Sequence, residues 1–136
     1  MFSGPVGALA ARPSERAKSE AWQRLLEDRT LTLATAGAIM RGFHQPGQEE
    51  VLEPYADHYL DALGNIWRER DLEFSLYFGE AMFPRWVVGE GTIGRVDEKL
   101  RDQGLASPLR RLLIEGKDRL FRTIRARRVD AQSAGR

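Results

Sequence analysis

The stretch DLEFSLYFGEAMF, residues 71–83, decides the fold, because it reads in two ways. Leu72, Phe74, Leu76 and Phe78 alternate with Glu73, Ser75 and Tyr77, the two-residue period of a strand with one buried face. Wound as a helix, the same residues are apolar nearly all round and need neighbours on several sides. Pattern alone slightly favours the strand. A strand, however, must pair its backbone N–H and C=O groups, and no second convincing strand pattern occurs anywhere in the chain. The helix is therefore the reading adopted, and an all-α fold follows from it.

The flanking segments agree. Ala17, Ala21 and Leu25 recur at four-residue spacing after Pro13-Ser14, with Trp22 and Leu26 beside them, which predicts a helix over 14–28. A second spans 32–43, with Leu33, Ala36, Met40 and Phe43 on one face, and stops at Pro46-Gly47. These two should form an antiparallel hairpin. Over 48–70, Leu52, Tyr55, Tyr59, Leu63 and Ile66 line one face; Pro54 falls near the first turn or marks a kink, and Gly64-Asn65 is a candidate break. Ile93, Val96 and Leu100 mark a fifth helix with Gly104 just past its end. The last opens with Ser107 as N-cap and Pro108 at the first helical position. Its stripe is Leu109, Leu112, Leu113, Gly116, Leu120 and Ile124, and fraying is expected near Val129.

The expected organisation is a lead-in over 1–13, a helical domain over 14–129 and a disordered tail over 130–136. About six helices in antiparallel hairpins invite a search for repeats. Trp22 and Trp67 stand about 45 residues apart, each upstream of an aromatic followed closely by proline (FHQP and MFP). That separation falls in the roughly 40–47 residue period of HEAT and armadillo arrays. A HEAT/armadillo-like right-handed array is the architecture expected.

Composition narrows the function classes. At 136 residues the chain is long enough for one hydrophobic core without staples. It has no cysteine, which excludes disulfides, thiol nucleophiles and thiolate metal sites. No apolar run has the length of a membrane helix, and MFSGPVGALAARP lacks the basic and apolar regions of an export signal, so a cytoplasmic location is expected. The net charge of +1 points to no partner class, although acidic residues crowd the middle of the chain and arginines its end.

No residue earns a catalytic, metal-binding or cofactor-binding role. His44 and His58 are too far apart for the H-E-x-x-H arrangement, which sends two imidazoles from one helical face to one metal. His58 is read as a partly exposed histidine hydrogen-bonded near Asp61. The row Glu49, Glu53, Asp57 and Asp61 places like charges at i, i+4, a solvated face or a dock for a basic partner. An open helix face gives these carboxylates no means of separating their pKa values for acid–base work. In the last helix Arg111, Glu115 and Arg119, and separately Asp118 and Arg122, are spaced for internal ion pairs, which argues against a nucleic-acid surface. Arg111, Arg122 and Arg125 are the candidate interface residues. GEGTIG lacks the Lys-Ser/Thr of a phosphate loop.

Several motifs in fixed order carry a resemblance. They are KSEAW (residues 18–22), Gly42-Phe43 with Gln45 and Gln48, Leu52 with Pro54-Tyr55 and Tyr59, then Trp67 with Glu69-Arg70, and Leu109 to Leu112. Over residues 8–130 the chain resembles the C-terminal end of actinobacterial aminopeptidase N enzymes, zinc metallopeptidases of the gluzincin type. The resemblance implies an all-helical domain akin to that of the endoplasmic-reticulum aminopeptidases, and it also implies a helix over 71–83. It further implies that the zinc, its ligands and the general base belong to a catalytic domain outside this chain. The helical domain then closes the chamber that admits peptide substrates. Its expected partners are that catalytic domain and those peptides, with neither nucleic acid nor membrane. The alternative reading is a self-standing HEAT-like scaffold that binds another protein.

Overall fold

The structure, a computed structural model, describes residues 6–135. The expected lead-in lies outside the described residues over 1–5, and the expected tail does so at 136. Among the described residues there are helices and no strands.

The decisive segment is α6, Leu72–Ala81. Asp71 starts it: its carboxylate accepts from the Phe74 N–H at 2.8 Å, the N-cap bond that offsets one orphan donor of the first turn. The strand-like alternation is not realised. Leu72 stays 60% exposed, whereas Phe74 and Ser75, Phe78 and Gly79, then Met82 and Phe83 are buried, which is the period of a helix. The buried Ser75 hydroxyl donates to the Ile66 carbonyl at 3.1 Å. As its apolar circumference requires, α6 is flanked on several sides, by α3, α5 and α8.

Around it the other elements pair. Helix α2 (Glu15–Glu27) packs on α3 (Leu33–Phe43), α5 (Pro54–Glu69) on α6, and α7 (Glu90–Leu100) on α8 (Ser107–Ala134). Between pairs, α3 meets α6, α6 meets α8 and α5 meets α7. Ser14 and Thr32 cap α2 and α3 by accepting from the N–H groups of Ala17 and Thr35. The core fills the space between with Phe43, Tyr59, Phe78, Phe83, Met82 and Leu113, all fully buried. The Tyr59 hydroxyl donates to the Gly79 carbonyl at 2.5 Å, so the one polar atom of this ring is satisfied.

The structure differs from the sequence reading in four places. Helix α1 (Val6–Ala10) occupies part of the expected lead-in and packs on α2 and α3. The segment 48–70 is two helices, α4 (Glu49–Leu52) and α5. Pro54 has no N–H and is accommodated by opening a new helix after Glu53, while Gly64-Asn65 continues α5 unbroken. Ser107 is already helical and Ala106 takes the N-cap place without a side-chain bond; Gly104 does not have a positive φ and is held in a turn by the Asp102 side chain at 2.9 Å. Finally, α8 runs past Val129 to Ala134, where a disordered tail is expected. Residues 125–134 contain no glycine or proline to end it, and the Gly135 N–H still bonds the Ala131 carbonyl.

Candidate interaction surfaces

The two histidines are separated by role as well as by sequence. His44 follows α3 and is buried, with Nε2 3.0 Å from the Met82 carbonyl and Nδ1 without a partner. Loss of hydration, with Lys18 and Arg85 nearby, pulls its pKa down to about 4, so at neutral pH the ring is uncharged and Nε2 carries the donated proton. His58 lies on the exposed side of α5 against Trp22 (6.2 Å between centroids) and Tyr55 (5.3 Å); its neighbours are rings, and no hydrogen bond joins it to Asp61. One imidazole is committed to the core and the other to an aromatic surface cluster, so the pair does not fit a zinc ligand set. Among the described residues, no three His, Asp or Glu side chains converge as ligands.

The acidic row is mostly neutralised inside the fold. Arg95 of α7 bridges Glu53 (3.1 Å) and Asp57 (3.4 Å), and Arg127 of α8 reaches Glu49 (3.5 Å). These cations remove the like-charge penalty that the i, i+4 spacing carries and weaken the case for a basic partner. The ion pairs expected within α8 do not form. Its cations pair with other elements instead, Lys117 with Asp97 (2.8 Å) and Arg128 with Glu90 (3.3 Å). Arg119 turns inward, its guanidinium 5.8 Å from the centre of the Phe83 ring. Arg111, Arg122 and Arg125 are exposed, and the last two border a shallow hollow with Asp118 and Phe121.

Of the resembling motifs, Lys18, Trp22, Gly42, Phe43, Gln45, Gln48, Tyr55 and Arg70 meet at a joint around α1, α2 and α3, where their work is structural, whereas Tyr59 bonds α6 and Leu109 to Leu112 belong to α8. Lys18 is fully buried. Its ammonium donates to the carbonyls of Ala10 (2.7 Å) and Phe43 (2.6 Å), the last residues of α1 and α3, and so closes two helix C-termini where a cation is favoured. Loss of hydration lowers its pKa to about 8, which leaves it charged at neutral pH. Trp22, Phe43 and Tyr55 form a ring cluster with centroids 5.0–6.2 Å apart. Gln48 donates to the Ala11 carbonyl and Gln45 to that of Gly42. Gly42 lets α1 approach: a Cβ there would sit 2.1 Å from the Gly7 carbonyl oxygen. Arg70 stacks 3.6 Å over Phe74 and donates to the Leu25 carbonyl at the end of α2. Sequence reasoning found these residues through resemblance; the burial of Lys18 has no signal in hydropathy patterning.

Two hollows flank this joint. One of about 580 Å³ lies between α1, α2 and α3, with Leu9, Arg12, Arg16 and Ile39 on its walls. The other, about 330 Å³, lies between α2 and α5 and is lined by Trp22, Leu26, His58, Asp61 and Arg70 among others. Both are open grooves of mixed polarity. No helix among the described residues is long and apolar enough to cross a membrane.

No family model matches the chain. Over 127 residues it is 35% identical to Aminopeptidase N of Streptomyces lividans, an alignment that covers 93% of this chain and 15% of that protein. The chain therefore matches a small part of a larger aminopeptidase.

Proposed function

We propose that this chain is the C-terminal helical portion of a zinc aminopeptidase of the aminopeptidase N type, and that it closes the substrate chamber over a catalytic domain outside this chain. The observation that carries the reading is the identity with Aminopeptidase N along nearly the whole chain, over a small share of that protein. The scattered, structurally committed histidines support a wall and not a centre of bond cleavage. In this reading the zinc is held by the catalytic domain, where it polarises the scissile carbonyl and activates water. The partners are that domain and its peptide substrates, in the cytoplasm, with neither nucleic acid nor membrane.

The architecture we assign is a HEAT-like array. Its support is the order of contacts, in which α2 pairs with α3, α5 with α6 and α7 with α8, and adjoining pairs meet through α3 on α6, α5 on α7 and α6 on α8. The two tryptophans of the sequence period occupy the first helix of successive pairs, α2 and α5. The test of the non-catalytic role is direct. The purified chain should leave amino-acid anilides intact, with or without added zinc. Hydrolysis that survived removal of contaminating peptidases would overturn the proposal.

A further inference from the structure

The outer face of α8 carries groups that nothing else in the fold engages. At about 100° per residue, the buried Leu109, Leu113, Gly116 and Leu120 share the core side. Ile114, Asp118, Phe121, Arg125 and Val129 share the opposite one. Four large hydrophobic residues are exposed among the described residues, and three of them lie on this stripe: Ile114 (44%), Phe121 (45%) and Val129 (59%). The remaining one, Leu72, is on α6. The charges divide in the same way. Lys117, Arg127 and Arg128 are paired with Asp97, Glu49 and Glu90, whereas Asp118 and Arg125 on the stripe, and Arg111, Glu115 and Arg122 beside it, enter no ion pair among the described residues.

The order along the stripe is Ile, Asp, Phe, Arg, Val. Read backwards, it places an apolar residue opposite each apolar one and an opposite charge opposite each charge. The midpoint between positions 114 and 129 coincides with the midpoint between 118 and 125, beside Phe121. We propose that α8 pairs antiparallel with α8 of a second copy of this chain about a two-fold axis next to Phe121. Ile114 then meets Val129 of the second copy, Asp118 meets its Arg125, both pairs occur twice, and the two Phe121 rings meet at the axis. This is the self-complementarity that a two-fold interface demands. Parallel pairing in register is excluded by the same charges, since it sets Asp118 against Asp118 and Arg125 against Arg125.

The contact spans about 23 Å of one helix, at the small end of specific interfaces, so the association is weak and reversible. The inference does not rest on the aminopeptidase reading. Sedimentation equilibrium of the full chain from about 5 to about 500 µM, bracketing micromolar affinity, should show a monomer–dimer equilibrium. Phe121→Asp should move its midpoint at least about tenfold upward. Asp118→Arg and Arg125→Asp should each weaken the dimer about tenfold, because two attractions become two repulsions, and the double swap D118R/R125D should restore it to within about threefold. All these positions are exposed, and far-UV circular dichroism checks that each variant folds. The chain has no cysteine, and positions 114 and 129 are too far apart on one helix to bridge within it. Mild oxidation of Ile114→Cys/Val129→Cys should therefore give covalent dimers. A monomer at about 500 µM, or a dimer indifferent to Phe121→Asp and to either charge reversal, would overturn the inference.

Discussion

Acid should destabilise this protein through one buried ring. His44 is neutral in the fold, with Nε2 bonded to the Met82 carbonyl, and burial beside Lys18 and Arg85 lowers its pKa from an ordinary 6.5 to about 4. In the unfolded chain the ring regains water and takes up a proton near its ordinary value. Between those two values the unfolded state binds more protons than the native state, so stability must fall as pH falls. The contribution is complete above 6.5, lost progressively through the window and exhausted below about 4. Each pKa unit corresponds to about 1.4 kcal/mol, so the whole window is worth about 3 kcal/mol, a large part of a small domain's stability. The assay is urea unfolding of the wild-type chain and His44→Gln at a series of pH values from 7 to 4. Glutamine keeps a donor for the Met82 carbonyl and cannot titrate. The wild type should lose about 3 kcal/mol more than the variant over that range. In the folded wild type, the His44 ring resonances should stay unmoved above about pH 5. Parallel pH profiles for the two proteins would refute the reasoning.

Three further outcomes follow from the packing. Lys18→Met should destabilise the chain by about 2–4 kcal/mol, because it strips two buried helix-terminal carbonyls of their donor, and it should loosen α1 first; amide exchange over residues 6–11 and urea unfolding check both parts. Gly42→Ala should cost about 1–3 kcal/mol, since the added Cβ meets Gly7 backbone that can yield only if α1 moves. Gly94→Ala, at an exposed position of α7 where nothing lies within 4 Å, should instead add about 0.5–1 kcal/mol, and opposite shifts in thermal midpoint would show the contrast.

The fold was legible where a local rule and the tertiary environment agree. Ser14 and Thr32 are cap residues at the heads of apolar stripes, and α2 and α3 begin immediately after them. The stretch 71–83 was legible only by elimination. Its alternation is a true local pattern, overridden because Ser75 and Gly79 occupy the buried face through contacts that periodicity does not encode. The charged surface was read least well. Arg119 and Arg122 stand at ion-pairing distance along the chain from Glu115 and Asp118, yet the pairs that form are set by neighbours brought in by the fold, as Arg95 is to Glu53 and Asp57. Nothing in the sequence pattern marks Lys18 as buried. Its environment is built by the ends of α1 and α3, and the second of these, at Phe43, lies beyond any local window that contains the lysine.

The central claim, that these helices serve a catalytic domain outside this chain, is tested most directly by grafting. The matching part of Streptomyces lividans Aminopeptidase N is replaced by this chain, and hydrolysis of amino-acid anilides is compared with the intact enzyme and with a deletion of that part. The account predicts that the graft recovers most of the activity that the deletion loses. A graft that folds, by circular dichroism and cooperative unfolding, but remains as inactive as the deletion would contradict it.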